Sequence, residues 1–285
     1  MCVLFFIVGF FPFKAYHTPM CRLVLYKGPA ISLGHLLHTP KHSIIKQSYE
    51  AREMLRGTTN EDGFGLAWYA PHWSDEPAVY RSIQPISNDV NMHTMAGKIS
   101  SDIILAHVRG ASEGMPVAIT NTHPFGWQRY AFMHNGAVDE FRSRFFPELF
   151  NDIHPSLWSH IKGNTDSEHV FGLWLSYLGL DKNASLHEQV SALRRTFQRL
   201  ETIAQKQNLD IVLNIGISDG QNIIAARFHY GSRKATLYYN DNLALFPDAV
   251  MIASEAQTDD AGWKPVPERS ILTITSNNTL RVETV

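Results

Sequence analysis

The sequence predicts an α+β protein in which helices pack on β-sheets. Three observations predict it: strand-like runs early in the chain, two helical segments in the middle, and further strand-like runs in the last third. The chain has 285 residues, 44% hydrophobic and 18% charged, an ordinary globular composition that can bury a sizeable core. Because no repeat or Pro/Gly-rich linker interrupts it, residues 20–285 are predicted to form a single domain.

The predicted strands are short β-branched or aromatic runs bounded by Gly, Pro, Asn or Asp. In the first half they lie at 23–26, 64–69, 103–108 and 130–136, with polar connections such as 70–77 between them. In the last third they lie at 211–217, 222–228, 235–239, 249–255 and 270–275. The residues 218–221, Ser-Asp-Gly-Gln, predict a hairpin turn between the first two of these.

The middle of the chain predicts two helices. Residues 165–168, Thr-Asp-Ser-Glu, form a capping-box pattern directly before an apolar run. Further on, apolar residues recur at intervals of three and four, as on one face of an amphipathic helix. They are Leu186, Val190, Leu193, Phe197, Leu200 and Ile203.

Charge and cysteine content exclude several function classes. Lys+Arg 25 against Asp+Glu 27 gives a net charge of −2 without a basic cluster, so no nucleic-acid partner is expected. Two cysteines cannot form a disulfide framework or a cysteine zinc site, which favours a cytoplasmic protein with free thiols. His35, His38 and His42 are too loosely spaced to predict a metal site, and no metal or cofactor is expected.

Residues 1–19 differ from the rest of the chain. The run 3–13 is almost wholly apolar, but it is too short for a membrane span and lacks the basic start and cleavage site of a secretory signal. A membrane-touching leader, a propeptide and sequence translated upstream of the true start remain as readings. We favour the third and expect no membrane partner.

Cys21, which follows Met20, is the predicted nucleophile. Excision of the methionine would give Cys21 a free α-amine, whose usual pKa of about 7.7–8.0 suits a general base near neutral pH. Thiol and base then belong to one residue, so no distant histidine is needed. Cys2 also follows a methionine, but the strand-like run after Cys21 favours Cys21 as the start of the fold.

Four later residues supply what such a thiol needs. Asn135 and Gly136, predicted to lie at a turn after a strand, offer a side-chain amide and a backbone N–H to an oxyanion. Arg109 provides a planar fork for a substrate carboxylate. Asp166 provides an anion for a substrate ammonium.

These motifs resemble those of the class II glutamine amidotransferases, in the N-terminal-nucleophile hydrolase superfamily. The family's Met-Cys, N-x-D-G-x-G, H-x-R-x-A-[ST]-x-G, H-N-G and T-D-S-E segments have counterparts here in the same order. They are Met20-Cys21, 60–65, 107–114, 134–136 and 165–168.

The resemblance implies a four-layer αββα sandwich and a role for each matching residue. Cys21 would be the nucleophile, Asn135 and Gly136 the oxyanion hole, Arg109 the partner of the substrate α-carboxylate, and Asp166 the partner of its α-amino group. Supporting positions in the same motifs are Asn60, Asp62, His107, Ser112 and His134.

Residues 40–54, 121–125 and 252–270 are similar to a narrower branch of the family. It contains the stand-alone γ-glutamyl hydrolases of ergothioneine biosynthesis, which act on γ-glutamyl-hercynylcysteine S-oxide, and relatives in glutathione breakdown. Ser254-Glu255-Ala256 departs from the branch's Ser-Glu-Pro, and Ser112 stands where Thr is common. The resemblance therefore implies hydrolysis of a γ-glutamyl amide.

Other readings stay open. A glutaminase subunit could supply ammonia to a separate synthase partner, and a homodimer is compatible with the sequence. A chain that keeps residues 1–19 could be an inactive γ-glutamyl-binding protein.

Two further patterns are given structural interpretations. Ser218 matches G-x-S-x-G, but a strand rather than a helix is predicted after it, so it is assigned to a hairpin. His123 and His134 are expected to make local hydrogen bonds.

Overall fold

Two antiparallel sheets form the centre of the fold in a computed structural model, which describes residues 21–53, 59–111 and 115–285. The strands are β1 (Arg22–Ser32), β2 (Phe64–Ala70), β3 (Ser74–Ser82), β4 (Ser100–Val108), β5 (Phe125–Trp127), β6 (Tyr130–Val138), β7 (Ile211–Ser218), β8 (Ile223–Tyr230), β9 (Tyr238–Asn240), β10 (Val250–Ala253), β11 (Lys264–Pro265), β12 (Ser270–Ile274) and β13 (Leu280–Thr284). The helices are α1 (Leu33–His38), α2 (Ile44–Tyr49), α3 (Val90–Ala96), α4 (Phe146–Leu149), α5 (Asp166–Tyr177) and α6 (Leu186–Gln207).

The strands are divided between a seven-stranded and a six-stranded sheet. The first has the order β11-β9-β10-β1-β4-β2-β3, and the second has the order β13-β12-β8-β7-β6-β5. β1 is paired on both sides, with Val24 opposite Ala253 of β10 and Ala106 of β4. The chain therefore starts its described part in the interior of a sheet.

Three apolar clusters define four layers. On β1, Leu23 and Leu25 belong to the cluster between the two sheets, whereas Val24 and Tyr26 belong to the cluster under the first helices. This alternation is the period of two that a strand buried on both faces requires. A third cluster packs the six-stranded sheet against α5 and α6. The helix–sheet–sheet–helix order confirms the expected αββα sandwich.

The two predicted middle helices are present. α6 begins with a full capping box, in which Ser185 and Glu188 satisfy each other's backbone N–H groups. α5 has only half of the predicted box: Thr165 caps the N–H of Glu168, but the Glu168 carboxylate accepts from Lys162 and Gly163 instead. The predicted N-cap at Thr165 is therefore present, whereas the Glu168 carboxylate fixes the loop before the helix.

Several sequence predictions need correction. Part of the polar connection predicted at 70–77 belongs to β3, which begins at Ser74. The short helices α1, α2 and α3 were not predicted, because six or seven residues carry too little periodicity to separate them from loops. The hairpin at 218–221 is confirmed, since β7 ends at Ser218 and β8 pairs back from Ile223.

Within the described ranges, none of the helices combines the length and apolar character that a membrane crossing requires.

Candidate active site

Cys21 lies immediately before β1, at the point where β1 and β4 separate. Its thiol donates a hydrogen bond to the carbonyl oxygen of Gly110 at 3.6 Å, so the start of the first strand meets the segment after β4. The neighbouring Arg22 and Leu23 pair with Val108 and His107 of β4. The pairing of these neighbouring residues inside the sheet therefore fixes the position of the Cys21 thiol. Met20 falls outside the described residues.

The surroundings of Cys21 favour a protonated thiol. Burial raises the pKa of the thiol, while the Gly110 hydrogen bond and the charges of Arg109 and Arg22 lower it. The negative charge of Asp166 raises it further. Because the net shift is upward, attack by this sulfur requires a base that removes its proton.

Arg109 follows β4 directly and is held through its backbone. Its N–H donates to Gly63 at 2.8 Å, and its carbonyl oxygen accepts from Asp62 at 3.0 Å. The Asp62 carboxylate also accepts from the N–H of Ala111 at 2.8 Å. The predicted supporting residue Asp62 therefore fixes the turn that carries Arg109.

Among the described residues, no carboxylate forms an ion pair with the buried guanidinium of Arg109. The residue is 4% exposed; its Nη2 donates to the Pro116 carbonyl at 3.1 Å, and its Nη1 has no hydrogen-bond partner among the described residues. Burial lowers the pKa of Arg109, whereas Cys21 and Asp62 raise it. A buried cation with an unused donor is costly unless an anion reaches it.

Asn135 and Gly136 lie inside β6, not at a turn after a strand as predicted. Asn135 Nδ2 donates to the Ser254 hydroxyl at 3.0 Å, and the same hydroxyl accepts from the backbone N–H of Leu23 at 3.1 Å. Ser254 thereby joins the Asn135 side chain on the six-stranded sheet to β1 of the seven-stranded sheet. Only one of the two Nδ2 hydrogens is used by the described residues.

Gly136 has a φ of +157°, and a Cβ there would lie 1.9 Å from the Val212 carbonyl oxygen. Glycine is required because the neighbouring strand approaches so closely.

Asp166 is the first residue of α5 and is partly exposed. Its Oδ2 accepts from the N–H of Val138 at 2.8 Å, and its Oδ1 accepts from the N–H of Ser167 at 2.8 Å. These bonds fix the carboxylate at the end of β6, close enough to Cys21 to affect its pKa. A carboxylate offers about four lone-pair sites, so room remains for an ammonium group.

Buried histidines join the two sheets beneath these residues. His107 of β4 donates through Nε2 to the carbonyl oxygen of His134 on β6 at 3.2 Å. His134 donates through Nε2 to Val212 at 3.0 Å, which leaves its Nδ1 to accept from the Ser167 hydroxyl at 2.9 Å. The local bonding expected of His134 is confirmed. That expected of His123 is wrong, since neither of its ring nitrogens has a partner among the described residues.

Burial lowers the pKa of His107 to about 3 and that of His123 well below its usual value. Both rings are therefore neutral at neutral pH, and their faces pack with centroids 4.2 Å apart.

Of the remaining supporting residues, the structure describes only Asn60. Asn60 donates through its backbone N–H to Ser48 at 2.5 Å and through Nδ2 to Gln47 at 3.4 Å, which ties it to α2. Ser112 lies outside the described residues, as does the predicted leader at 1–19.

Glu255 is a site residue whose role the sequence reasoning missed. It was noted only as part of a family-like Ser-Glu pair, yet its carboxylate accepts from Arg22 Nε at 2.7 Å and His42 Nε2 at 2.8 Å. Arg22 in turn donates through Nη1 to the Cys21 carbonyl at 2.9 Å. An acidic residue at the end of the predicted strand 249–255 is a usable signal, but its partners Arg22 and His42 are more than 200 residues away in the sequence.

No group of three or more His, Cys, Asp or Glu side chains in the described part of the chain could hold a metal ion.

The αββα sandwich, with a cysteine at the start of an inner strand, defines the class of N-terminal-nucleophile amidohydrolases. The family model for class II glutamine amidotransferases matches residues 36–280, and the chain belongs to that family. It is therefore an enzyme of the amidotransferase type.

Similar proteins support the assignment. The chain is 33% identical to the probable glutamine amidotransferase DUG3 of Saccharomyces cerevisiae, over 90% of this chain and 82% of the yeast protein. It is 30% identical to a γ-glutamyl-hercynylcysteine sulfoxide hydrolase of Mycolicibacterium smegmatis, over 90% of this chain and 96% of the relative.

Solved structures show the same fold. A glutamine aminotransferase class-II domain protein of Silicibacter pomeroyi superposes with a TM-score of 0.66 at 27% identity, covering 93% of this chain and 99% of the other. Glutamine phosphoribosylpyrophosphate amidotransferase of B. subtilis superposes with a TM-score of 0.60 at 16% identity, over 93% of this chain and 49% of the other.

Proposed function

We propose that the protein hydrolyses γ-glutamyl amide bonds, with Cys21 as the N-terminal nucleophile, and releases glutamate. The observation that carries the proposal is the buried Arg109 guanidinium, whose Nη1 has no partner among the described residues and whose charge reaches the Cys21 thiol. A substrate α-carboxylate would pair with Arg109. The α-ammonium of the substrate would pair with Asp166. The substrate's γ-carbonyl would then be open to attack by the Cys21 sulfur.

The chemistry follows from these positions. In a chain that begins at Cys21, the α-amine takes the thiol proton and the sulfur attacks the γ-carbonyl carbon. The unused Asn135 Nδ2 hydrogen and the Gly136 N–H would donate to the oxyanion. The C–N bond then breaks, the leaving amine takes the proton, and a thioester remains. Water, deprotonated by the same α-amine, hydrolyses the thioester to glutamate and the free thiol.

Within the γ-glutamyl class, we favour γ-glutamyl-hercynylcysteine S-oxide, the substrate named for the mycobacterial relatives at 28–30% identity. Glutathione-type peptides are the alternative, and the two differ only in the leaving amine. A cytoplasmic location belongs to this proposal and rests on the content of two cysteines.

The yeast relative supports a second candidate. Because that protein is named a probable glutamine amidotransferase, the chain could instead release ammonia from glutamine for a separate synthase. Fast turnover of free glutamine that rises when a synthase is added would favour this candidate.

One experiment tests the proposal. Protein that begins at Cys21 is incubated with glutamine, glutathione and γ-glutamyl-hercynylcysteine S-oxide, and the released glutamate is measured. We expect release from at least one peptide substrate and none from a Cys21→Ala variant of unchanged fold. Activity retained by Cys21→Ala would refute the mechanism.

A further inference from the structure

A cavity opens where the edges of the two sheets meet. β3 is an edge strand of the seven-stranded sheet, β5 is an edge strand of the six-stranded sheet, and α5 closes the space between them. The cavity has a volume of about 140 Å³. Its lining includes the charged residues Arg81, Lys162 and Glu168 and the aromatic residues Phe125, Trp127 and Phe171.

This cavity is separate from the proposed γ-glutamyl site. None of Cys21, Arg109, Asn135, Gly136 and Asp166 lines it. Asn121 marks the boundary, because its side chain donates to the Pro116 carbonyl that also accepts from Arg109, while its Oδ1 accepts from the N–H of Asn164.

The charge in the cavity is unbalanced toward the positive. The Glu168 carboxylate already accepts from the N–H groups of Lys162 at 3.0 Å and Gly163 at 2.6 Å. Arg81 is half-buried, and its guanidinium makes no hydrogen bond or ion pair with the described residues, although Glu168 is near enough to affect its pKa. The exposed Lys162 adds a second cation at the rim. An entering anion would thus meet a guanidinium fork to which no described residue is hydrogen-bonded.

The walls and volume restrict the body of such an anion. Aromatic side chains prefer to pack against flat or apolar groups. An apolar protein cavity of about 150 Å³ is known to admit benzene, so this one suits a single ring or a short aliphatic chain.

We propose that the cavity binds the carboxylate of a small aromatic or apolar acid, with Arg81 pairing to the carboxylate and Phe125, Trp127 and Phe171 contacting the body. Two sources share this chemistry: a free acid, and the distal end of the leaving part of a γ-glutamyl substrate. The second source rests on the proposed function, whereas the first does not.

Calorimetry with benzoate and its neutral counterpart benzamide tests the proposal on the full chain. We expect benzoate to bind at least tenfold more tightly than benzamide and this preference to vanish in Arg81→Gln. Arg281→Gln, which removes an arginine from exposed β13 at the opposite edge of the six-stranded sheet, should keep it. Equal binding of the two probes, or a benzoate affinity that depends on Arg109 instead of Arg81, would overturn the proposal.

A second measurement is independent of the folding of Arg81→Gln. In the unmodified protein, benzoate should shift the indole N–H resonance of Trp127, assigned by its absence in Trp127→Phe. An unchanged Trp127 signal at saturating benzoate would also overturn the proposal.

Kinetics separate the two sources. If Arg81→Gln raises KM for γ-glutamylphenylalanine more than KM for glutamine, the acid is the leaving part of the substrate. If Arg81→Gln changes the KM values of both substrates equally and abolishes benzoate binding, the natural ligand is a free acid. Because benzoate binding needs no turnover, its result stands whether or not glutamate release is observed.

Discussion

The carboxylate of Glu255 accepts a 2.7 Å hydrogen bond from Nε of Arg22, the residue that follows Cys21. It also accepts from His42 and from the backbone N–H groups of Arg52 and Glu53, at 2.8–2.9 Å. Burial alone would raise the pKa of Glu255, but the His42 hydrogen bond, the Arg22 charge and the backbone donors lower it to about 2. A fixed anion therefore anchors the start of β1.

Glu255→Gln is expected to displace Cys21 as well as to lower stability. Glutamine keeps the shape but has one acceptor oxygen, so its amide group would face a buried donor. Breaking a buried ion pair by removing one partner costs about 3–5 kcal/mol. We expect a lower Tm and, in the protein that remains folded, a kcat reduced at least tenfold with a smaller change in KM. Urea denaturation and steady-state kinetics at low temperature measure the two effects. If kcat were unchanged in the folded variant, Glu255 would have a purely structural role.

Acid should destabilise this protein progressively from about pH 6.5 downward. His107 and His123 have lower pKa values in the folded state than in the unfolded state, so their stabilising effect is complete above pH 6.5. As pH falls, these histidines take up protons in the unfolded chain but not in the folded one. For His107 this difference persists down to its folded-state pKa of about 3. Each histidine lowers the free energy of unfolding by up to about 1.4 kcal/mol per pH unit. Glu255, with a pKa of about 2, adds to the loss below pH 4.5. Urea midpoints between pH 7.5 and 5 measure the slope.

His123→Phe provides the matched variant for this pH dependence. His123 packs edge-on against Phe125, and its ring nitrogens bind no described residue, so a phenyl ring keeps the packing and removes the titration. The slope between pH 6.5 and 5 should fall by up to about 1.4 kcal/mol per pH unit, the contribution of one histidine. An unchanged slope would assign the acid sensitivity to other groups.

Gly136→Ala should prevent β6 and β7 from pairing normally. The added methyl would overlap the Val212 carbonyl oxygen, and backbone cannot move as a flexible side chain can. Such overpacking costs about 1–3 kcal/mol or more, and the shift would also move the proposed oxyanion donor. We expect a lower Tm and strongly reduced kcat. Gly126→Ala on β5 is the control, since its methyl would meet no atom closer than 3.6 Å, and it should behave like the parent. A Gly136→Ala protein as stable as the control would contradict the close approach seen here.

The sequence predicted the parts of the fold that repeat a local pattern. The strand-like run at 23–26 lies in β1, and the apolar residues at intervals of three and four lie in α6. The run at 130–136 was correctly predicted as a strand, but the turn predicted at Asn135 and Gly136 is wrong. Asn-Gly is a turn signal, and only the pairing with β7 shows that the strand continues through this glycine. Glu255 was missed for a related reason: its ligands come from Arg22, His42 and residues 52–53, which are adjacent only after folding.

Arg109→Lys should weaken substrate binding more than it slows chemistry. Lysine retains the charge but not the fork, so one charged hydrogen bond to the substrate carboxylate is lost. At about 1.5–3 kcal/mol for such a bond, KM should rise roughly tenfold to a hundredfold. γ-Aminobutyramide, which is glutamine without its α-carboxylate, is the comparison substrate and should lose little between parent and variant. Arg142→Lys is the control for a general effect of the substitution, since Arg142 is exposed and, among the described residues, its side chain donates only to the Asn164 carbonyl. Equal losses for both substrates would remove Arg109 from carboxylate recognition.

The free α-amine of Cys21 should decide whether the enzyme works. Burial raises the pKa of the Cys21 thiol, and His107 and His123, whose pKa values burial lowers, serve as packing rather than as bases. We therefore assign the proton to the α-amine. Three proteins test this: residues 1–285, residues 21–285, and residues 21–285 preceded by one glycine. Only the second has the amine on Cys21, and it should exceed the other two by about 10²–10⁴-fold, the usual contribution of a general base. Its kcat/KM should rise with pH through about 7.7–8.0, where an α-amine loses its proton.

The glycine-extended chain separates loss of the base from steric obstruction of the site, because it adds a single residue without a side chain. If that chain hydrolyses γ-glutamyl substrates as fast as residues 21–285, the base lies elsewhere and Cys21 does not act as an N-terminal nucleophile.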